Sequence, residues 1–405
     1  MRSRGRTRAT WRVRGAAGGA GVMLLVLTAA PASAESVRSQ EWHLDAMQAE
    51  EMWQASTGQG VTVAVIDSGV DSSLADLKGQ VVRGKDLSGM PGDERDDYDG
   101  HGTSIAAVIA ATGKGKGALG LAPGANILPI RLANVDMASN ETKPNVQISK
   151  SIASAIRYAA DSDAKVINIS LATSYDVPEL TDAVKYAQTR GKLIVAGVGN
   201  SGHKGNAVMY PAATPGVVGV GAVDKNLRVT AESERGPQVD LVAPGDDIVQ
   251  ACDGGSEICT GHGTSASAAL ASASAALVWA KHPDWTANQV TRVLINTAGG
   301  PKDGTKRNDA IGYGVVRPRV ALTNPGDPGP ADVDPLLAPG EQASKPSGSP
   351  AADAKAPSQT VADASSSSGS GSGGGNSTVW LAAAGGVVVV GAVAAGLVVA
   401  RRRRS

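Results

Sequence analysis

Cysteine is scarce: the 405-residue chain has two, Cys252 and Cys259. So few exclude a small disulfide-built scaffold, and with no ligand pattern beside them they exclude a zinc centre. Net charge is also missing, because 38 Lys and Arg balance 38 Asp and Glu. No basic face stands out away from the two termini, which excludes a nucleic-acid partner. No acidic loop carries a clear spacing of calcium ligands, so no cofactor is expected and structural calcium stays open without being predicted. Large apolar residues nearly vanish over 323–378, a stretch of Pro, Gly, Ser, Ala and Asp. Such a stretch cannot bury enough surface to fold and reads as a disordered tether with a root-mean-square reach of about 40 Å.

Both ends carry addresses. Arg2, Arg4, Arg6, Arg8, Arg12 and Arg14 form a basic head. An apolar run from Ala16 to Ala30 and the small-residue site Ala32-Ser33-Ala34 follow. Together, 1–34 read as a secretory signal peptide. The head holds no Arg-Arg pair, which favours the general secretory route over the twin-arginine one. Val379 to Ala400 is an uncharged run of 22 residues followed directly by Arg401 to Arg404. That is long enough to span a hydrocarbon core of about 30 Å. The positive-inside rule keeps the basic tail, 401–405, in the cytoplasm and everything before the span outside. No Leu-Pro-x-Thr-Gly precedes the span, so a sortase wall anchor is excluded. The expected location is the cell membrane, single-pass, with the folded domain extracellular. In that oxidising setting an even cysteine count favours a Cys252–Cys259 disulfide, which would stabilise by about 2–3 kcal/mol.

What remains suits one large α/β domain, 61–322, preceded by an N-terminal extension, 35–60. Val61 to Ile66 is a short β-branched run, the mark of a strand buried on both faces. Similar runs occur at 125–132, 165–171, 192–195 and 217–223. Helical patterns lie at 104–111, 148–160 and 179–190. The alternation predicts a parallel sheet flanked by helices, with functional residues at the carboxyl ends of the strands.

Polar residues fall at those ends. Asp67 follows the first strand in Val65-Ile66-Asp67-Ser68-Gly69, and His101 opens a small-residue helix in Asp99-Gly100-His101-Gly102-Thr103. Asn200 ends the strand-like 194–200 run. Ser265, in Gly263-Thr264-Ser265-Ala266, enters the long small-residue helix from Ala268 to Val278. Singly, each of the four reads as a cap or turn residue. Jointly they supply a hydroxyl nucleophile, an imidazole base, a carboxylate to orient it and an amide donor for an oxyanion.

These segments resemble those of the subtilisin-like serine proteases, in the chain order Asp, His, Ser. That order also disfavours an α/β-hydrolase esterase. The resemblance implies Asp67 as orienting acid, His101 as general base and acid, and Ser265 as nucleophile. It further implies Asn200 as oxyanion donor beside the Ser265 backbone N–H. Ser170, Leu171 and Ala172 should form one wall of the substrate groove, with Ala196 to Gly199, Gly197 and Val198 among them, facing it. A protein or peptide substrate follows. Structural calcium is frequent in such enzymes and is not predicted here. The chain departs from the family at Ala269, where a proline usually follows the serine by four residues. It also repeats Gly-His-Gly-Thr at His262, which is not expected to be the base.

The order of signal peptide, Trp-containing lead, protease domain, tether, span and basic tail resembles the mycosins, membrane-anchored proteases of type VII secretion systems. Only 26 residues separate Ala34 from Val61. That is too few for a folded prodomain, so the lead is expected to pack on the domain. A type VII secretion membrane complex is the implied partner. The alternatives are a general surface-tethered subtilase and a mainly structural component of such a complex.

Overall fold

The strand β1 (Thr62–Asp67) shows why the sheet sits where it does. Val63 and Val65 belong to one apolar cluster and Ala64 and Ile66 to the other, so alternate side chains load opposite faces. A strand apolar on both faces must lie inside a covered sheet. The computed structural model describes residues 37–338 apart from 116, 134–141 and 253–256, together with 340 and 342. Among them, β1, β2 (Lys85–Asp86), β3 (Asn126–Arg131), β4 (Val166–Ile169), β5 (Leu193–Gly197), β6 (Val218–Val223) and β7 (Leu241–Pro244) form one sheet. Its order is β2-β3-β1-β4-β5-β6-β7 and every pairing is parallel. β1 pairs with β3 on one side and β4 on the other, for example Val63 with Ile127 and with Val166. Strand order reverses there, and a crevice opens at the carboxyl ends where Asp67 stands.

Three short helices, α1 (Val37–Gln40), α2 (Trp42–Ala46) and α3 (Ala49–Trp53), lead in. Leu44, Met47, Ala49 and Met52 join the main core from this lead. Glu41 is buried and accepts the Leu119 N–H at 2.8 Å, while Trp53 donates to the Leu121 carbonyl at 2.9 Å. The lead thus packs on the domain.

Helices cover both faces. α4 (His101–Ala110) and the central α7 (Thr264–Lys281) pack on one, α5 (Thr142–Asp161) and α6 (Pro178–Thr189) on the other. α7 is rich in Ala and Ser, which lets its backbone approach the sheet closely. Ser267 donates to the Ala243 and Pro244 carbonyls, and Ser272 to Asn168 Oδ1 at 3.0 Å. A small antiparallel pair, β8 (Ile248–Ala251) and β9 (Ile258–Gly261), precedes α7, and a Cys252–Cys259 disulfide links its ends.

α8 (Ala287–Asn296) and α9 (Pro318–Thr323) close the domain. Composition placed a tether from residue 323, but the structure lays the start of that stretch along α8. Arg292 donates to the Pro328 and Pro330 carbonyls, and Thr286 and Asn288 to that of Ala331. A segment of Pro and Gly offers little to bury, yet its exposed carbonyls are good acceptors, and this is how it is held. The signal segment 1–34, most of the tether, the span 379–400 and the tail 401–405 lie outside the described residues. Among the described residues no helix is long and apolar enough to cross a membrane.

Candidate active site

Asp67 ends β1 and is 1% exposed, so its carboxylate needs partners. Its Oδ1 accepts the Ser68 backbone N–H at 2.8 Å and meets His101 Nδ1 at 2.7 Å. A carboxylate only accepts, so the shared proton sits on Nδ1 and leaves Nε2 facing away from Asp67. His101 is the first residue of α4, and the close seat of that helix on β1 depends on Gly102. A Cβ there would stand 2.1 Å from the Gly69 carbonyl oxygen and 3.0 Å from Asp67 Cβ.

Ser265 is the second residue of α7 and the one position from Thr264 to Trp279 that is not buried. Its hydroxyl donates to the Ser170 carbonyl at 3.2 Å. A polar chain sets its height: Ser272 holds Asn168 Oδ1, Asn168 Nδ2 donates to Ser170 Oγ at 3.0 Å, and that hydroxyl donates to the Ser265 carbonyl at 3.2 Å. Asn200 closes the other side. Its Oδ1 accepts from the Thr264 N–H at 2.9 Å and the Thr264 hydroxyl at 3.0 Å. With Oδ1 so engaged, Nδ2 is the atom left to donate to an incoming oxygen. Asp67, His101, Asn200 and Ser265 line one cleft of about 460 Å³, together with Ser170, Leu171, Ala172 and Gly197.

The sequence profile of the subtilase family matches residues 58–314, the stretch that holds all four of these side chains. The chain belongs to the subtilase family. It is 36% identical over 210 residues to the major intracellular serine protease of Bacillus subtilis (strain 168), covering 50% of this chain and 64% of that one. The chain thus spans just under two thirds of that relative's length. MycP1 from Mycobacterium smegmatis is a similar structure, at TM-score 0.62 and 29% identity over 72% of this chain and 86% of that one. A chain of the periplasmic assembly from the ESX-5 inner membrane complex matches at TM-score 0.63 and 30% identity, covering 80% and 92%.

Of the expected facing wall, Gly197 and Gly199 line the cleft of this subtilase, whereas Val198 is fully buried in the core and donates its N–H to the Val220 carbonyl. His262 stays outside the cleft, 71% exposed, with Nδ1 at 3.1 Å from Glu232. Asp97 was not anticipated. It accepts from the Thr103 N–H at 2.7 Å, the Thr103 hydroxyl at 2.6 Å and Ser68 Oγ at 2.8 Å. Ser68 Oγ in turn accepts the Gly102 N–H at 3.0 Å, so Asp97 braces the Asp67 turn against the His101 helix. Burial pushes the Asp97 carboxyl up against those hydrogen bonds.

The charge of Asp67 pushes the His101 imidazole up to about 9, against the lowering effect of burial and with further help from Asp99 and Asp97. A general base must be neutral, so activity is lost as pH falls through the raised value. The acid limb of kcat/KM is therefore expected above imidazole's ordinary value of about 6.5. Asp67→Asn should move that limb down and cut kcat by about 10⁴. A wild-type limb at or below 6.5, read from initial rates across pH, would remove Asp67 from this role. The same pair stabilises the fold fully below the unfolded histidine's value, and that contribution fades as pH rises through about 9.

Proposed function

We propose that this subtilase is a serine endopeptidase in which Asp67, His101 and Ser265 act as orienting acid, base and nucleophile. Asn200 and the Ser265 N–H receive the oxyanion. The observation that carries the reading is the 2.7 Å contact between buried Asp67 and His101 on the cleft that the only unburied hydroxyl of α7 enters. The chemistry is peptide-bond hydrolysis. Ser265 Oγ adds to the scissile carbonyl as His101 Nε2 takes its proton, and His101 returns that proton to the leaving amine. Water then repeats the sequence on the acyl-enzyme. An extended substrate lies between 170–172 and the 197–199 wall.

The setting is a membrane-anchored mycosin. The span 379–400 holds the domain on the outer side of the membrane, on the tether that precedes it. MycP1, a serine protease, is an essential component of the type VII (ESX-1) secretion system. The likeness to a chain of the ESX-5 periplasmic assembly supports a place in such a complex, where the domain would cleave exported substrates and help to hold the complex together.

Protease added to intact cells should cut the tether beyond residue 342 and release a soluble domain that hydrolyses casein. A domain protected until the membrane is broken would overturn the anchoring and the outward orientation together.

A further inference from the structure

The main chain that carries Asn200 is clamped from both sides. On one side it meets the start of α7: the Gly199 N–H donates to Thr264 Oγ1 at 3.2 Å, and Asn200 Oδ1 accepts from Thr264. On the other side it meets the segment 232–234. The Glu234 N–H donates to the Gly199 carbonyl at 3.2 Å and the Gly202 N–H to the Glu232 carbonyl at 2.8 Å. Between these two backbone contacts the Glu234 side chain turns inward.

Glu234 is fully buried, and neither carboxyl oxygen completes a hydrogen bond among the described residues. The donors that act on its charge are the backbone N–H and the hydroxyl of Ser201, the residue after Asn200. Its contact with the loop is tight: a Cβ on Gly199 would lie 2.7–2.8 Å from the carboxyl carbon and oxygens. Gly199 also has φ +112°, so only glycine fits there on both counts. Burying a carboxyl without full pairing is unfavourable to folding, so stability does not account for an acid at this place. An apolar side chain of equal length would fill the space at less cost. What the acid adds is an acceptor packed against the main chain at Gly199, next to Asn200. Burial pushes the carboxyl up to about 7, and the Ser201 donors pull it the other way.

We propose that Glu234 is a positioning residue for the reaction: its buried carboxyl, packed against the Gly199 main chain and facing Ser201, fixes the Asn200 amide at the height of the oxyanion. It touches neither substrate nor reacting atoms and acts only through Asn200. The proposal rests on the assignment of Asn200 as the oxyanion donor.

The test is a double-mutant cycle on the full chain in detergent, with kcat and KM read on a chromogenic peptide anilide that the wild type cleaves. Asn200→Ala should lower kcat by about 10²–10³. Glu234→Met keeps the length and packing but removes the acceptor. It should lower kcat by about tenfold with KM within about twofold, while the thermal midpoint holds or rises. Glu234→Gln restores an acceptor and should bring kcat back to within about threefold of wild type. Glu234→Met added to Asn200→Ala should cost nothing further, because it acts through an amide already gone. An unaffected Asn200→Ala would overturn the oxyanion assignment itself. A normal Asn200 loss with full kcat in Glu234→Met, or losses that multiply independently, would overturn only the role of Glu234. If Glu234→Met does not fold, Ser201→Ala removes the facing hydroxyl and should lower kcat in the same direction. An unchanged kcat there overturns the proposal.

Discussion

Ser265→Ala should lower kcat for peptide cleavage by about a millionfold, with KM little changed and the fold intact. The size follows from how a triad works: nucleophile, base and orienter act as one unit, so losing the nucleophile removes nearly all that the unit supplies. A residual of about 10³–10⁴ over water should persist from the oxyanion donors and from substrate positioning. The fold should survive because the side chain gives up one hydrogen bond, to the Ser170 carbonyl at 3.2 Å. Such a bond contributes about 1 kcal/mol. The main-chain bond between Ser170 Oγ and the Ser265 carbonyl is untouched, so the start of α7 stays in place. Steady-state rates beside a thermal melt check both halves. A near wild-type rate would move the nucleophile elsewhere.

The two Gly-His-Gly-Thr sequences give the second large effect, as a ranking. His101→Ala should be about as damaging as Ser265→Ala, near a millionfold in kcat, because members of one unit do not add. His262→Ala should keep most of the activity. The reason is placement: His101 lies on the cleft with its ring tied to Asp67, whereas His262 is 71% exposed and turned to Glu232. Its contact with Glu232 is an exposed pair, the kind that contributes little to stability. The reverse ranking in the same assay would hand the base to His262 and leave the Asp67–His101 contact without a catalytic part.

The strands that could be read from the sequence are those whose β-branched runs are long enough to show a pattern, β1 and β3 to β6. The short ones escaped for physical reasons. β2 is two residues long and exists only through its pairing with β3, and β7 ends in Pro244 beside Gly245. The four candidate residues that the structure brings to one cleft were legible because each stands at a glycine-rich junction between elements. Their support was not. Asp97, Ser170 Oγ and Asn168 act through contacts between residues far apart in sequence, such as the 95 positions from Ser170 to Ser265. Glu234, in Ala231-Glu232-Ser233-Glu234-Arg235, looks like any surface acid until the fold encloses it. Val198 turns away from the groove because neighbours in extended chain face opposite ways: a groove lined by Gly197 and Gly199 sends the side chain between them into the core. The start of the tether was misplaced because composition reports what a segment can bury, and carbonyl acceptors along Pro328 to Ala331 do not register in that sum.

Labelling of the full chain with a fluorophosphonate tests the central claim most directly, because the reagent traps an activated serine without needing the natural substrate. After digestion and mass analysis, one equivalent should sit on Ser265. Labelling should disappear in Ser265→Ala and become very slow in His101→Ala, while His262→Ala labels at the wild-type rate. A label on another serine, or no label on a folded chain at alkaline pH, would contradict the assignment of Asp67, His101 and Ser265 as one catalytic unit.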